Sequence, residues 1–423
     1  MAPSNGCGPM MTGNNIRRAA LGAVLALAVA VAAAEPPSRQ SAANPTQASL
    51  LTLAPTDISV RPGTSPALEA PRFSRNTWRR DADIPDAELA SLTAAARAGD
   101  KVARYRIAVR DIVMPASAGA ANARATLIAL AQAGLPQAQA WYGLQLATGG
   151  YGVPRDDKAA LMWFERAAAQ GNVTGLIQVF MDRMLKLPSD GAYTPALAYL
   201  ERAATSNADE PGVAEAAYAL GYFPGIGKGV KYDAALGVRW FVRAAAKGDV
   251  LAEYALAYFR EKGYGTEIDL PKAMQGYERA AERGYLPAMR RLAREPFGPE
   301  VDAKPGTAKA EAARKALHYT VKAAIAGDLD ALVRVAHGFE SGTLSPADHP
   351  GLGAEALTDR QIVMIYEGSA KRGNAQAMFR IGSLYERGRY TPPNAALAND
   401  WYELAWRHRS ADAAAKLGRQ VVW

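Results

Sequence analysis

Along residues 157–170, apolar side chains fall at Leu161, Phe164, Ala167 and Ala168, with charged and polar positions between them. Spacings of three and four are the period of an α-helix with one buried face. Asp156 stands where an N-cap carboxylate accepts a first-turn N–H, and Asp157 adds favourable charge at the positive helix end. Gly171 stands where a left-handed residue stops a helix. The pattern therefore predicts a helix from Asp157 to Gln170. A glycine-rich turn, "GGYGVPRD", precedes this helix, and a further apolar pattern, "VTGLIQVFMDRM", follows Gly171. The repeated element is a helix, a turn and a second helix.

The same wording returns 77 residues later: Gly152, Val153, Asp156, Trp163, Phe164, Arg166, Ala167 and Gly171 meet Gly229, Val230, Asp233, Trp240, Phe241, Arg243, Ala244 and Gly248. An ending of two small residues and a stop recurs at Gly99, Gly134, Gly171, Asn207, Gly248, Gly284, Gly327, Gly373 and Arg409. A period near 36 residues with two helices per unit marks an α-solenoid. The expected array covers residues 84–415 in eight to nine units of antiparallel helix pairs, so the fold class is all-α. Trp163, Trp240, Tyr277 and Trp401 are expected in its core, and Gly171, Gly248, Gly284, Gly327 and Gly373 at its helix stops. Two units are lengthened, at 294–311 and 339–360. Insertions of this kind emerge as loops on one face of a solenoid.

The stretch ahead of the array is different. Residues 35–83 are rich in Pro, Ser, Ala and Thr and read as a flexible linker, with Phe73 and Trp78 docking on the first helix. In residues 1–34, Arg17 and Arg18 precede an uncharged run from Ala19 to Ala34. That run is short of the ~20 residues a bilayer span needs, and it ends in three alanines. It predicts a secretory signal peptide, a mature start near Glu35 and a periplasmic location. The only cysteine, Cys7, lies ahead of the run. Nothing supports a lipid anchor, and the mature chain has no thiol to mispair in an oxidising compartment. Residues 416–423 read as a C-terminal tail. The net charge is +8, two units of it from Arg17 and Arg18, with no dense Lys/Arg block among aromatics. Nucleic acid is not an expected partner.

The pattern "LG…G.GV..D...A..W...AA..G" resembles the Sel1-like repeat, a relative of the tetratricopeptide repeat. Its best copies are Leu144–Gly171, Leu220–Gly248, Leu256–Gly284 and Ile381–Ala405. The resemblance implies a right-handed α-solenoid and a non-catalytic adaptor that holds protein partners. A secreted array of this kind is also similar to the periplasmic scaffold proteins of exopolysaccharide export, alginate secretion included. That similarity implies cell-envelope partners such as an outer-membrane porin or a polysaccharide synthase component. Two alternatives stay open: a periplasmic regulator of a sensor protein, and a hydrolase acting on cell wall or glycan through an unrecognised site.

The sequence offers little chemistry. His318, His337, His349 and His408 lack ligand spacing, and no HExxH, GxSxG or P-loop pattern occurs. "GIGKGV" falls in an inter-helix turn, where glycine serves geometry. No catalytic, cofactor or metal residue is nominated. Trp141, Tyr142, Tyr254 and Tyr258 lie in the first helices of their units, which line the concave face in solenoids. They are the candidate partner-binding residues.

Overall fold

The computed structural model describes residues 68–73, 77–114, 120–186, 193–207, 211–294, 306–352, 356–389 and 392–420. The signal segment and most of the linker lie outside these residues. Among them are eighteen α-helices and no strand. In chain order these are α1 (Asp86–Arg97), α2 (Lys101–Val113), α3 (Ala120–Gln132), α4 (Pro136–Thr148), α5 (Asp157–Ala169) and α6 (Val173–Lys186). There follow α7 (Thr194–Ala204), α8 (Pro211–Ile226), α9 (Ala234–Ala246), α10 (Val250–Lys262), α11 (Leu270–Glu282) and α12 (Leu286–Leu292). The last six are α13 (Ala308–Ile325), α14 (Leu329–Ser341), α15 (Asp359–Lys371), α16 (Ala375–Arg387), α17 (Ala395–Arg407) and α18 (Ala411–Lys416). Even-numbered helices from α2 onward are the first helices of repeats, and odd-numbered ones the second. The architecture is an α-solenoid of antiparallel helix pairs. It divides within α11 into two compact units, one ending at Gly276 and the other starting at Tyr277.

The caps form as their residue types dictate. Asp156 accepts the Ala159 N–H at 2.9 Å, and Asp233 accepts the Leu236 N–H at 2.8 Å. Each carboxylate satisfies one of the first-turn donors that a helix leaves without an internal partner. At the other end Gly171 and Gly248 have φ of 80° and 81°, and at Gly171 there is open space where a Cβ would stand. Replacing either with Val forces a β-branched residue into the left-handed region. We expect a loss of about 1–3 kcal/mol in urea melts of each variant. Arg409 provides the reverse case, since it holds φ 68° at the equivalent stop without glycine's freedom. Arg409→Gly is expected to gain up to about 1 kcal/mol. Unchanged midpoints in all three variants would contradict this placement of the stops.

The helix pairs close on an aromatic ring set against glycine. Phe164 on α5, Phe241 on α9 and Tyr402 on α17 are buried, each over a glycine of the preceding first helix. A Cβ on Gly143, Gly221 or Gly382 would stand 2.7, 2.6 or 2.7 Å from the respective ring. In α10 and α11 the small residues trade sides: Ala257 takes the first-helix position, and Gly276 gives way on the second. Tyr277 lies in the core as expected. Trp163, Trp240 and Trp401 do not. Each is only half-buried, and the residue after it fills the core instead. A helical residue points about 100° away from its neighbour, so only one of two adjacent rings reaches the interior. The tryptophans lie along the helix flank, where Arg166 sits 4.6 Å from the Trp163 ring and Arg243 5.9 Å from Trp240.

Three boundaries need correction. The linker does not remain free to residue 83: Leu68, Trp78 and Ile84 are buried, and Thr77–Ala82 forms a 3₁₀ turn. The insertion at 339–360 begins and ends inside helices, because Phe339–Ser341 close α14 and Asp359–Arg360 open α15. Its intervening chain is tucked in by Leu344 and Leu352, both buried. The C-terminal tail is fastened at Gln420, whose carbonyl accepts the Trp406 indole N–H at 3.0 Å. Residues 295–305 of the other insertion lie outside the described residues.

Candidate functional site

Four successive first helices of the amino-terminal unit line up a buried aromatic side chain: Tyr105 on α2, Trp141 on α4, Phe180 on α6 and Tyr218 on α8. The chain ahead of α1 lies along this row in reverse order. The Tyr218 hydroxyl donates to the Glu69 carbonyl at 2.5 Å. Phe73 meets Phe180 edge-on, with ring centroids 5.8 Å apart. Trp78 stands edge-on to Trp141 at 6.4 Å and to Tyr151 at 5.9 Å. Tyr105 donates a hydrogen bond to Asp81, whose carboxyl burial pushes above the usual range, with Arg106 close by. Arg79 reaches the Tyr151 hydroxyl at 3.3 Å. The described parts of residues 68–82 thus form a strap across four repeats.

The strap explains where the nominated aromatics fall. Trp141 is fully buried beneath Trp78, and Tyr254 is buried within α10, so neither is a surface anchor. Their first-helix location is right, but each ring points into packing that the chain itself supplies. Tyr142 and Tyr258 are half-buried. Tyr142 stacks edge-on against Trp163 at 5.3 Å, and Tyr258 lies 6.0 Å from both the Tyr264 ring and the Lys262 ammonium. One polar atom of the row is unsatisfied: Trp141 Nε1 is buried with no hydrogen-bond acceptor among the described residues.

The carboxy-terminal unit holds two polar clusters that sequence spacing concealed. His318 on α13 and His349 in the insertion meet at 2.9 Å between Nδ1 and Nε2. The Gly351 N–H donates to His349 Nδ1 at 2.9 Å, so the His349 proton sits on Nε2 and is given to His318. That leaves the His318 Nε2–H directed at Glu282, 3.8 Å away. Burial and the neighbouring His318 push the His349 pKa down, in keeping with a neutral ring. Lys322 and the Tyr319 hydroxyl donate to Glu282 at 2.6 and 3.2 Å, and Lys322 chiefly holds that carboxyl low. The histidine pair borders a cleft of ≈ 420 Å³ that Arg314, Lys315 and Asp348 also line. Its evident work is to fasten the insertion to α13.

The second cluster surrounds Glu340, at the end of α14 and only 3% exposed. It accepts from the Tyr366 hydroxyl at 2.8 Å and from Arg387 at 2.6 Å, with His337 Nδ1 at 3.4 Å. Arg389 donates to the Glu340 backbone carbonyl at 2.7 Å. Burial alone would raise the carboxyl pKa, but the hydrogen bonds from His337, Tyr366 and Arg387 outweigh it and hold it at about 2. The pair spans α14, α15 and α16, so it ties neighbouring repeats together. No three His, Cys, Asp or Glu side chains among the described residues come together as a metal site, and no described helix is long and apolar enough to cross a membrane.

Comparison with known proteins follows this geometry closely. The model of the Sel1 repeat matches residues 136–172, 214–249, 250–285 and 375–406. These stretches contain four of the helix pairs and all three glycine-under-aromatic contacts. Four stretches of the chain are thus similar to the Sel1 repeat, and its fold is an α-solenoid. A crystal structure of a protective antigen present in uropathogenic Escherichia coli strains, displaying an SLR fold, is similar with a TM-score of 0.57 and 24% identity. The similarity covers 77% of this chain and 65% of the antigen's, so this chain spans just under two thirds of that length. A Sel1 repeat protein from Oxalobacter formigenes is similar at 20% identity over 85% of this chain and 98% of its own, with a TM-score of 0.49. None of the curated proteins matches the chain in sequence. Sel1 repeat proteins mediate protein–protein interactions.

Proposed function

We propose that this chain is an exported, non-catalytic scaffold that gathers protein partners in the periplasm, within a machine for exopolysaccharide assembly and export. The observation that carries the scaffold reading is the array of helix pairs similar to interaction repeats, whose first helices leave the rings of Tyr142 and Tyr258 part-exposed. Rigid aromatic side chains on a fixed frame are the residue type that dominates binding hot spots. The basic pair Arg17 and Arg18 ahead of the apolar run supports export, as does a chain free of cysteine beyond Cys7. The envelope partners that suit this reading are an outer-membrane porin or a polysaccharide synthase component.

The test begins with tagged protein recovered from the envelope fraction of the native host. Its amino terminus is expected at or near Glu35, and an intact Met start in the membrane pellet would contradict export. Porin or synthase subunits are expected to co-purify. Removing the whole coding sequence is expected to abolish polymer secretion. Normal secretion by the deletion strain would remove the exopolysaccharide role.

A further inference from the structure

The strap across the aromatic row has the features of a bound ligand more than of a built-in element. Its 3₁₀ turn, Thr77–Ala82, packs on α2, while the described chain ahead of it, 68–73, belongs to no helix or strand. Its attachments to the row are two rings, Phe73 and Trp78, one carbonyl, on Glu69, and one carboxylate, on Asp81; Arg79 also reaches the Tyr151 hydroxyl, and Leu68 is buried. Such point attachments to successive repeats are how an extended peptide sits on a frame of parallel helices. First helices packed about 10 Å apart present a new anchor every three to five residues of extended chain. The strap keeps that interval from Glu69 to Phe73 and then reaches the last two seats, from Trp78 and Asp81, on one 3₁₀ turn. Yet its fit is incomplete. Trp141 Nε1 is buried under it without an acceptor among the described residues, so a hydrogen bond is left unmade there. Arg72, Arg79 and Arg80 of the strap remain exposed.

We propose that the row of Tyr105, Trp141, Phe180 and Tyr218 is a groove for a peptide segment of a partner protein, and that residues 68–73 and 77–82 occupy it in cis as a competing ligand. The partner segment carries two aromatic residues about five positions apart, which take the seats of Phe73 and Trp78. An acidic residue about three positions further on meets Tyr105 and Arg106. A backbone carbonyl or side-chain oxygen near its second ring takes the Trp141 N–H, which is the bond the strap does not make. The inference deepens the scaffold reading and rests on it only in taking the partner to be a protein. Tethering gives the strap an effective concentration in the millimolar range, so a partner of ordinary affinity is excluded until it outcompetes the strap. The groove is thereby closed to weak, unrelated peptides.

A labelled synthetic peptide of residues 66–84 serves as the probe, with fluorescence anisotropy as the readout on the full chain. The Phe73→Ala/Trp78→Ala double variant empties both aromatic seats while leaving every repeat intact. It is expected to bind the probe at least about tenfold more tightly than the unaltered protein does. A probe with alanine at both aromatic positions is expected not to bind either protein. A variant that keeps its helical circular dichroism and cooperative melt, yet binds the probe no better than the unaltered protein, overturns the proposal. Hydrogen exchange on the unaltered protein covers the case of a variant that does not fold. Millimolar unlabelled probe is expected to raise exchange across residues 68–82 and leave α4, α6 and α8 protected. Unchanged exchange in residues 68–82 overturns the proposal as well. Retention of envelope partners by a chain that binds no probe would leave the scaffold reading standing and assign the partners to another surface.

Discussion

Phe241→Ala is expected to cost about 3–5 kcal/mol, the range for emptying an aromatic seat in a packed core. The ring is fully buried, lies 5.6 Å from Tyr218 and 5.3 Å from Phe259, and rests on Gly221. No neighbouring side chain can fall into the space, because α8 and α9 are already as close as glycine allows. Trp240→Ala removes a larger side chain from the adjacent position and is expected to cost clearly less, since its ring is half-exposed and gains mainly from the Arg243 stack. Urea melts of the two variants compare the two positions directly. A larger loss at Trp240 than at Phe241 would mean that the helix is rotated from the orientation described. Because repeats contact only their neighbours, hydrogen exchange is expected to localise the damage around α8 to α10.

Glu340→Ala is expected to lower stability by about 2–4 kcal/mol, because it strips a buried charge cluster of its centre. Tyr366 and Arg387 lose the carboxylate they donate to, and Tyr366 lies fully buried. The same cluster imposes a pH dependence. The carboxyl pKa is lowered from 4.5 to about 2, so the native state favours the charged form. Its contribution is complete above the unfolded value of 4.5 and is lost as pH falls toward 2. Thermal melts between pH 5 and pH 2 are expected to show that loss, and Glu340→Gln is expected to flatten that part of the profile. A parallel pH profile in the Gln variant would show that Glu340 is not the responsible group.

Much of the fold was legible because solenoid contacts are local. Asp156, Gly171 and the three-and-four spacing around Phe164 act within one helix, so a single unit states its own structure. Repetition then states the array. The assignment of Trp163, Trp240 and Trp401 to the core failed for a related reason. Period alone marks a face but does not say which of two adjacent aromatics lies at its centre. The glycines at 143, 221 and 382 carried that information, since a backbone that gives up its Cβ marks where a ring must rest. The candidate site was far less legible. Proline and serine in residues 35–83 suggested a flexible linker with Phe73 and Trp78 on the first helix, and composition gives no account of those rings meeting Phe180 and Trp141, in later repeats, instead. The signal that was present is the row itself: buried aromatics at 105, 141, 180 and 218 follow the repeat period. His318 and His349 escaped notice because an insertion folds one back on the other, a contact that no spacing rule encodes.

The strap also sets an order of events during synthesis. Glu69 is made 149 residues before Tyr218, the residue that holds its carbonyl. At ordinary translation rates of about 5–20 residues per second, that separation lasts roughly 7 to 30 seconds. Trp78 waits for Trp141 and Phe73 for Phe180 within this interval, while α2, α4, α6 and α8 are made one after another. The seats open in the order Tyr105, Trp141, Phe180, Tyr218, so the strap closes from its Asp81 end toward Glu69. The earliest part of the described chain to be synthesised is thus the last to reach its place, and each nascent molecule passes through a stage in which the aromatic row is built but not yet covered.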